Sequence, residues 1–193
     1  MRLLFFAGST REGSFNRKLA ALAHHIAAAN GVEAVLVELK DYPMPLYNGD
    51  LEAKEGPPER ARAFKALLAE YQGVFIASPE YNSSVTPLLK NTLDWVSRIK
   101  REGDGESGIE TFRSRVFAIS GASPGYYGGM RSLLHLRQIL EIGIGASVIP
   151  QQIAVPRAMD AFEADGSLKD KAQQTQCKTV VEALAVAARK FLS

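Results

Sequence analysis

The sequence predicts an α/β domain with a doubly wound, five-stranded parallel sheet and helices on both faces. Five short apolar runs alternate along the chain with longer segments whose apolar residues recur at helical spacing. Parallel neighbouring strands need a connection of helix length, and such crossovers are nearly always right-handed, so this alternation favours a sheet covered on both sides. We expect residues 1–193 to form this one domain, because roughly 200 residues suffice for one well-buried core.

The first β-α-β unit is predicted at the start of the chain. Residues 2–7 form a continuous apolar run that ends at Gly8, which is typical of a strand buried on both faces. Residues 16–30 are rich in alanine and leucine at helical spacing, and this helix is expected to end at Asn30. A second strand is predicted over residues 32–39.

The middle of the chain begins with a break in this alternation. Residues 40–58 contain four prolines and two glycines, which predict a long connection without regular structure. A helix is then predicted over residues 59–71 and a buried strand over residues 74–77, which ends at Ser78. Residues 85–99 return to helical spacing and predict the next crossover helix.

The last third of the chain completes the predicted sheet. Residues 101–114 are glycine-rich and charged and are expected to be a surface loop. The fourth strand is predicted over residues 116–119, followed by a helix over residues 129–142. A short fifth strand over residues 146–149 and a final helix over residues 167–192 end the pattern.

Composition excludes several classes of function. The 23 Lys+Arg against 21 Asp+Glu give a formal net charge of +2, and no basic cluster is present, so a nucleic-acid partner is not expected. No apolar run approaches the ~20 residues of a spanning helix, so we expect no membrane association. The single Cys177 and the lack of a secretory leader favour a cytoplasmic location.

Histidine and cysteine show no pattern of a metal or nucleophilic site. His24 and His25 are adjacent on the first predicted helix, and His135 lies within a later one, so all three are interpreted as surface or structural side chains. Cys177 lies on the last predicted helix and is expected to be a small packed or partly exposed side chain. We therefore expect no metal site and no catalytic protein residue.

Ligands of a doubly wound sheet bind beyond the carboxyl ends of its strands, where the strand order reverses. The segment after the first strand is rich in hydroxyl groups and leads into a helix, whose N-terminus is suited to a phosphate. It lacks the lysine of a triphosphate loop and the glycine spacing of a dinucleotide loop. Its candidate phosphate ligands are Ser9, Thr10, Arg11, Ser14 and Asn16. The alternative is a simple helix cap at Ser14.

Two more permissive loops follow the third and fourth strands. In the first of them, Tyr81 offers a flat ring beside the polar groups of Asn82 and Ser83. The alternative is a turn that caps the next helix through Ser83 or Ser84. The second loop, residues 120–129, is glycine-rich and would let a ligand approach the backbone closely. Three such loops at one sheet edge predict a ligand site.

The motifs in these loops resemble a known family. They are Gly8-Ser-Thr-Arg-x-x-Ser-x-Asn16, Pro79-Glu-Tyr-Asn82 followed by Pro87-Leu-Leu-Lys-Asn-x-Leu-Asp-Trp95, and Ser120-Gly121 with Gly128-Gly129. In this order they resemble the NADPH-dependent FMN reductase family of flavodoxin-like proteins, which includes quinone, chromate and azo-dye reductases. The resemblance implies sheet order 2-1-3-4-5, non-covalent FMN, and homodimers or homotetramers with the helix of residues 85–99 at a subunit contact.

The resemblance also implies which residues bind the cofactor. The FMN phosphate would be held by Ser9, Arg11, Ser14 and Asn16. The flavin ring would be bordered by Pro79, Glu80, Tyr81, Asn82 and Ser83, and its other edge by Ser120, Gly121 and Ser123. The third loop departs from the family because Gly121-Ala-Ser-Pro-Gly125 and two tyrosines stand where many members have Gly-Gly-x-x-Gly-Gly.

The implied activity is reduction of FMN by NADPH or NADH, followed by reduction of a small-molecule acceptor, with ping-pong kinetics. An electron carrier of the flavodoxin type and a flavin-binding regulatory protein remain the alternatives. The near-neutral charge, with a sequence pI of about 8.7, disfavours the electron carrier, because carriers of the flavodoxin type are strongly acidic proteins. Trp95 lies off the apolar stripe of its predicted helix, which favours a subunit contact for its ring.

Overall fold

The computed structural model describes residues 1–191. Its central feature is a parallel sheet with the strand order β2-β1-β3-β4-β5, and a sixth strand also pairs with β4. The predicted fold class and strand order are therefore confirmed. The strands are β1 (Arg2–Ala7), β2 (Glu33–Glu38), β3 (Gly73–Ala77), β4 (Val116–Ala122), β5 (Ser147–Val148) and β6 (Ile153–Val155).

Seven α-helices accompany the sheet within residues 1–191. They are α1 (Phe15–Ala29), α2 (Gly49–Glu55), α3 (Glu59–Ala69), α4 (Pro87–Ser97), α5 (Gly108–Arg113), α6 (Met130–Gln138) and α7 (Lys171–Ala188). A π-helical turn, Ile139–Ile144, continues α6, and short 3₁₀ turns occupy Leu39–Asp41 and Arg189–Phe191. None of the helices of residues 1–191 combines the length and the apolar character that crossing a bilayer requires.

The two faces of the sheet bury separate cores. Successive side chains of a strand point to opposite faces, so Leu3 and Phe5 of β1 pack under α1 and α7, whereas Leu4 and Phe6 pack under α3, α4 and α6. Cys177 belongs to the first of these cores and is fully buried. Desolvation raises the pKa of its thiol to about 12, so Cys177 is a neutral packing side chain.

The fourth strand is longer than predicted, and a sixth strand was missed. Ser120 and Gly121 suggested the end of β4, but β6 supplies a neighbour to residues 120–122 and extends the strand to Ala122. Between β5 and β6 the chain leaves the sheet at Pro150, which has no N–H to donate, and returns three residues later. The short apolar run over 146–149 therefore predicted only part of this edge.

Both segments predicted to be irregular contain a short helix. Helix α2 lies within 40–58, and α5 lies within 101–114, where Ser107 and Glu110 form a reciprocal capping box. Glycine is required at Gly108, because an added Cβ would lie 1.8 Å from the carbonyl oxygen of Val96 in α4. The capping-box spacing was present in the sequence and could have predicted α5.

The final helix begins later than predicted. Residues 163–167 form a turn, and α7 starts only after Asp170, whose carboxylate accepts hydrogen bonds from the backbone N–H groups of Ala172 and Gln173. The predicted end at 192 lies outside the described residues.

The prediction that Trp95 faces a subunit contact is wrong. Its ring is fully buried with Ala61 and Ile99, and its Nε1–H donates to the carbonyl oxygen of Pro45 at 2.7 Å. The reason is the connection before α3, which folds back over α3 and α4 and places Met44 against this cluster. No regular structure was predicted for that connection, and nothing in its pattern therefore indicated that the connection buries the ring of Trp95.

Candidate active site

The loop after β1 is anchored at its start and presents a helix N-terminus. The N–H of Gly8 donates to the carbonyl oxygen of Ala77 at 2.9 Å, and the carbonyl oxygen of Gly8 accepts from the hydroxyl of Thr86 at 2.8 Å. Ser14 is the N-cap of α1, with its Oγ 3.5 Å from the N–H of Arg17. Within residues 1–191, no protein acceptor lies within hydrogen-bond reach of the N–H groups of Phe15 and Asn16. Ser14 is therefore a helix cap, as the alternative predicted, and the N–H groups of Phe15 and Asn16 stay available to a ligand.

The side chain of Asn16 is committed to the protein. Its Nδ2 donates to the carbonyl oxygen of Ala122 at 2.8 Å, and its Oδ1 accepts from the N–H of Ala122 at 2.9 Å. Asn16 is only 3% exposed. The amide thus ties the first turn of α1 to the end of β4, and only the backbone of Asn16 can serve an anion. This contact spans 106 positions, which is why local sequence pattern gave no sign of it.

Arg11 lies exposed at the mouth of the loop. Its Nη1 donates to the carbonyl oxygen of Glu12 at 3.1 Å, and its guanidinium lies 5.6 Å from the ring centre of Phe15. Ser9 accepts from the N–H of Arg11 at 3.3 Å, and Thr10 is exposed. The loop therefore offers one exposed cation beside two free backbone donors, which is a suitable arrangement for a terminal phosphate.

The loop after β3 forms a tight turn rather than a helix cap. Tyr81 and Ser84 exchange backbone hydrogen bonds of 2.9 and 3.0 Å, and both Asn82 and Ser83 have positive φ, at 49° and 66°. These values are typical of a type I′ turn. Helix α4 is capped by Thr86, whose hydroxyl accepts from the N–H of Leu89 at 3.2 Å, so the expected alternative of a cap at Ser83 or Ser84 is wrong.

This turn exposes Tyr81 to solvent, and hydrogen bonds from α6 fix the position of the adjoining Glu80. The Tyr81 ring is 53% exposed. The Glu80 side chain, only 7% exposed, accepts from the Nε and backbone N–H of Arg131 at 2.8 and 3.1 Å and from the N–H of Ser132 at 3.3 Å. Glu80 is thus a cap of α6 and not a free carboxylate. His135 reinforces the same contact through its Nδ1, 2.9 Å from the hydroxyl oxygen of Ser84. Sequence reasoning missed Thr86, Arg131 and Ser132, whereas His135 has the structural role expected of it.

The loop after β4 packs closely on its neighbours. Ser120 is fully buried and its hydroxyl donates to the carbonyl oxygen of Ile76 at 3.2 Å, so it offers no group to a ligand. A Cβ on Gly121 would lie 3.2 Å from the carbonyl oxygen of Gly128, and one on Gly128, where φ is 62°, would lie 2.7 Å from the nitrogen of Pro156. These glycines serve close packing of the backbone. Ser123 is half-buried, and its Oγ accepts from the N–H of Gly125 at 3.3 Å.

The three loops meet in one cleft at the carboxyl edge of the sheet. Its volume is about 120 Å³, and the exposed Tyr81 lies at its border. The predicted residues that border it are Ser9, Arg11, Ser14, Asn16, Pro79, Glu80, Tyr81 and Ser123. The predicted residues that do not are Thr10, Asn82, Ser83, Ser120 and Gly121, and the unpredicted neighbours are Phe15, Ala122 and Pro124.

The donors of the cleft fit FMN. A phosphate matches the free N–H groups and Arg11 at the N-terminus of α1, and a flat heterocycle matches the exposed ring of Tyr81 and the backbone of the turn. Among residues 1–191, no cluster of three or more His, Cys, Asp or Glu side chains is arranged to hold a metal ion. Outside the cleft, the Nε2 of His24 lies 3.2 Å from the carbonyl oxygen of Ala34, which gives this histidine a structural role.

A parallel sheet of order 2-1-3-4-5, with a helix N-terminus and two further loops at the same edge, defines a protein of the flavodoxin-like class. The chain belongs to the NADPH-dependent FMN reductase family, whose model matches residues 1–160.

Similar proteins agree with this assignment. The chain is 32% identical over 192 residues to an NAD(P)H-dependent FMN reductase of Pseudomonas aeruginosa, covering 99% of this chain and 97% of the relative. It is 33% identical over 189 residues to an NAD(P)H:quinone oxidoreductase of Solanum tuberosum, covering 95% and 91%. Among solved structures, it resembles the flavoenzyme NAD(P)H:(acceptor) oxidoreductase FerB of Paracoccus denitrificans with a TM-score of 0.79, 25% identity and 98% coverage of both chains.

Proposed function

We propose that this protein binds FMN and uses NADPH or NADH to reduce quinones or similar small acceptors. The observation that carries the proposal is the single cleft in which the N-terminus of α1, the turn at Tyr81 and the loop at Ser123 meet. The names of the similar proteins support the same activity. We propose chromate, azo dyes and free flavin as alternative acceptors.

The residues divide into ligands and supports. The backbone N–H groups of Phe15 and Asn16, with Arg11, Ser9 and Thr10, would hold the phosphate. Ser14 would complete this cradle as the cap that orients the N-terminus of α1. The flavin ring would be bordered by Pro79, Tyr81, Asn82, Ser83 and Ser123. Residues Glu80, Ser120 and Gly121 would act as supports, because their polar groups or space are already used by the protein.

When bound, FMN supplies the hydride chemistry, so the chain itself needs no nucleophile. Its own residues hold the phosphate, border the ring and leave the cleft open on the side of Tyr81. We propose that reductant and acceptor use that open side in turn, with ping-pong kinetics. Double-reciprocal plots of the initial rates should then give parallel lines when both substrates are varied. Intersecting lines would contradict this order.

The experiment that tests the proposal begins with the purified protein and added FMN. We expect a yellow complex and oxidation of NADPH or NADH that a quinone accelerates. A protein that binds no FMN would refute the cofactor assignment. A protein that binds FMN and passes electrons without turnover of a quinone would be a carrier. One that binds FMN but neither passes electrons nor turns over a quinone would be a flavin-binding regulatory protein.

We also propose a homodimer or homotetramer in the cytoplasm, with the helix of residues 85–99 at a subunit contact. Support for the contact comes from the family resemblance alone, because Trp95 is already buried within its own subunit. Buried, unpaired Cys177 is compatible with a reducing compartment. Sedimentation equilibrium measures the assembly, and a monomer at micromolar concentration would contradict it.

A further inference from the structure

A second cavity lies at the N-terminus of α7, beside the loop that follows β4. It measures about 530 Å³, which falls within the ~300–1,000 Å³ typical of small-molecule sites. Tyr126 of the loop borders this cavity, whereas Ser123 and Pro124 border the cleft of the candidate active site. Both spaces therefore lie along the same short stretch of chain, and nothing in the proposed binding of FMN uses the second one.

Main-chain hydrogen bonds fix this loop to the segment after β6. The N–H of Ser123 donates to the carbonyl oxygen of Val155 at 3.1 Å, and the N–H of Ala158 donates to the carbonyl oxygen of Ser123 at 3.0 Å. The N–H of Arg157 donates to the carbonyl oxygen of Gly125 at 3.3 Å. Because both partners in each bond belong to the backbone, changes of side chain in these two segments should leave the loop in place.

One side of the cavity is an exposed aromatic ring. The Tyr126 side chain is 76% exposed, and its ring makes an edge-to-face contact with that of Tyr127, with the ring centres 5.5 Å apart. Half-buried Pro156 and Ala161 border the cavity beside it. The two tyrosines are among the residues by which this loop departs from the family pattern. A flat ring of a ligand can stack on Tyr126 here.

Two cations border the same cavity. The side chains of Arg157 and Lys169 are exposed, and within residues 1–191 neither forms a hydrogen bond or an ion pair. Of the two carboxylates on the border, that of Asp170 accepts two backbone hydrogen bonds at the N-terminus of α7, which compensates its charge. Asp160 is the other, and no cation of the described chain pairs with it. Two cations thus face one uncompensated carboxylate, which favours an anionic ligand.

Arg157 has a backbone conformation that its side chain disfavours. Its φ is 49°, in the left-handed region that residues other than glycine seldom adopt. Glycine would adopt this conformation without strain, and no contact of the Arg157 side chain with the described residues offsets the cost. A strained, exposed arginine at the border of a cavity therefore indicates a side chain that acts on a ligand.

We propose that this cavity is a subsite for extended aromatic acceptors that carry a carboxylate or sulfonate group. One ring of the acceptor stacks on Tyr126, its anionic group binds Arg157 and Lys169, and its quinone ring reaches the cleft along the loop at Ser123. The inference rests on the proposed function and names the acceptors that it favours. The reaction is unchanged, because a quinone, NAD(P)H and one proton give the hydroquinone and NAD(P)⁺.

The direct test is calorimetric titration of the FMN-saturated protein with 2-naphthoate and with its neutral carboxamide. The two probes have the same rings, so their affinities differ through the charge. We expect the carboxylate to bind about fivefold more tightly, because it gains charge-assisted hydrogen bonds from cations that are exposed to solvent. Saturating FMN keeps both probes out of the flavin cleft.

Three variants and a matched control separate the charge from the ring. Arg157→Gln should bring the two affinities to within about twofold, and Asp160→Asn should strengthen binding of the carboxylate alone about twofold. Tyr126→Ala should weaken both probes about threefold, because stacking does not depend on the charge. Arg60→Gln removes an exposed arginine of α3, at the opposite face of the sheet from α7, and should change neither affinity.

Steady-state kinetics test whether the cavity serves the reaction. The substrates are a naphthoquinone with a carboxyphenyl substituent, the carboxamide of that compound, and unsubstituted naphthoquinone. Arg157→Gln should raise the KM for the carboxylate about threefold, with kcat and the other two KM values unchanged. A merely structural role of Arg157 would alter all three substrates alike.

Equal affinities of the two probes, or a preference that Arg157→Gln leaves intact, would overturn the inference. So would a KM for the carboxylated quinone that does not follow the affinity for 2-naphthoate. Failure of the unaltered protein to bind FMN or to reduce any quinone would reject the proposed function instead. In that case the titration, repeated without FMN, still decides whether the cavity binds an aromatic anion.

Discussion

Replacing Asn16 with alanine should destabilise the protein even when no FMN is present. The side chain makes two short hydrogen bonds, of 2.8 and 2.9 Å, to the carbonyl oxygen and the N–H of Ala122. Both groups of Ala122 are buried, so the variant leaves them without partners. At ~1–1.5 kcal/mol for each lost bond, the free energy of unfolding should fall by ~2–3 kcal/mol.

Urea unfolding of the FMN-free protein measures this loss. With a slope of ~2–3 kcal/mol per molar, the midpoint should fall by about 1 M. Arg11→Ala provides the opposite signature, because Arg11 is exposed and its side chain makes only one hydrogen bond within residues 1–191, to the carbonyl oxygen of Glu12. Its unfolding midpoint should stay unchanged, whereas the affinity for FMN should fall by ~1.5–3 kcal/mol.

An unchanged midpoint for Asn16→Ala would refute the reasoning, because it would mean that the amide serves the ligand and not the fold. Thr10→Ala is a suitable control, since Thr10 is exposed in the same loop and should leave the midpoint unchanged. Unaltered FMN binding by Arg11→Ala would remove Arg11 from the phosphate site.

Three other predictions follow from contacts away from the phosphate loop. Arg115→Met should lower the free energy of unfolding by about 3 kcal/mol, because buried Arg115 donates to the carbonyl oxygens of Leu68, Ala69 and Thr111; a loss below 1 kcal/mol in urea would contradict this. Ser83→Gly should raise the thermal midpoint, because Ser83 has a φ of 66°, which glycine adopts without strain. The free energy of unfolding should rise by ~0.5–1 kcal/mol. Hydrogen bonds from Ser107 lower the pKa of Glu110 to about 2, below its ordinary value of 4.5. The protein should therefore be more stable than Glu110→Gln, with the full difference in free energy of unfolding above pH 4.5 and its loss as the pH falls through 2. A pH-independent difference would argue against the capping box.

The local elements of the fold were predictable because their signals are local. Strand β1 is a run of apolar residues closed by Gly8, and α1 repeats its apolar side chains every three or four residues. The three loops at the carboxyl edge followed from the strand order, since parallel strands bring their ends to one side. The three loops could therefore be placed at one edge before any contact was known, and the phosphate-binding role of the first stays a prediction.

The remaining features depend on contacts between distant parts of the chain. Strand β6 has only three residues and exists because the end of β4 offers it a partner. The carboxylate of Glu80 could not be assigned to α6 from sequence, because Arg131 lies 51 positions away. Trp95 was misjudged for the same reason, since its cover comes from Pro45 and Met44.

The division of one sheet edge between β5 and β6 has a consequence for aggregation. Strand β4 is the longest strand, and its outer side would otherwise present a row of unpaired N–H and C=O groups on which another chain could add a strand. Strands β5 and β6 cover its two ends with two and three residues, each too short to act as a template in turn. At the opposite edge, β2 begins and ends with glutamate. We therefore expect partly unfolded forms to aggregate only after β5 and β6 detach from β4.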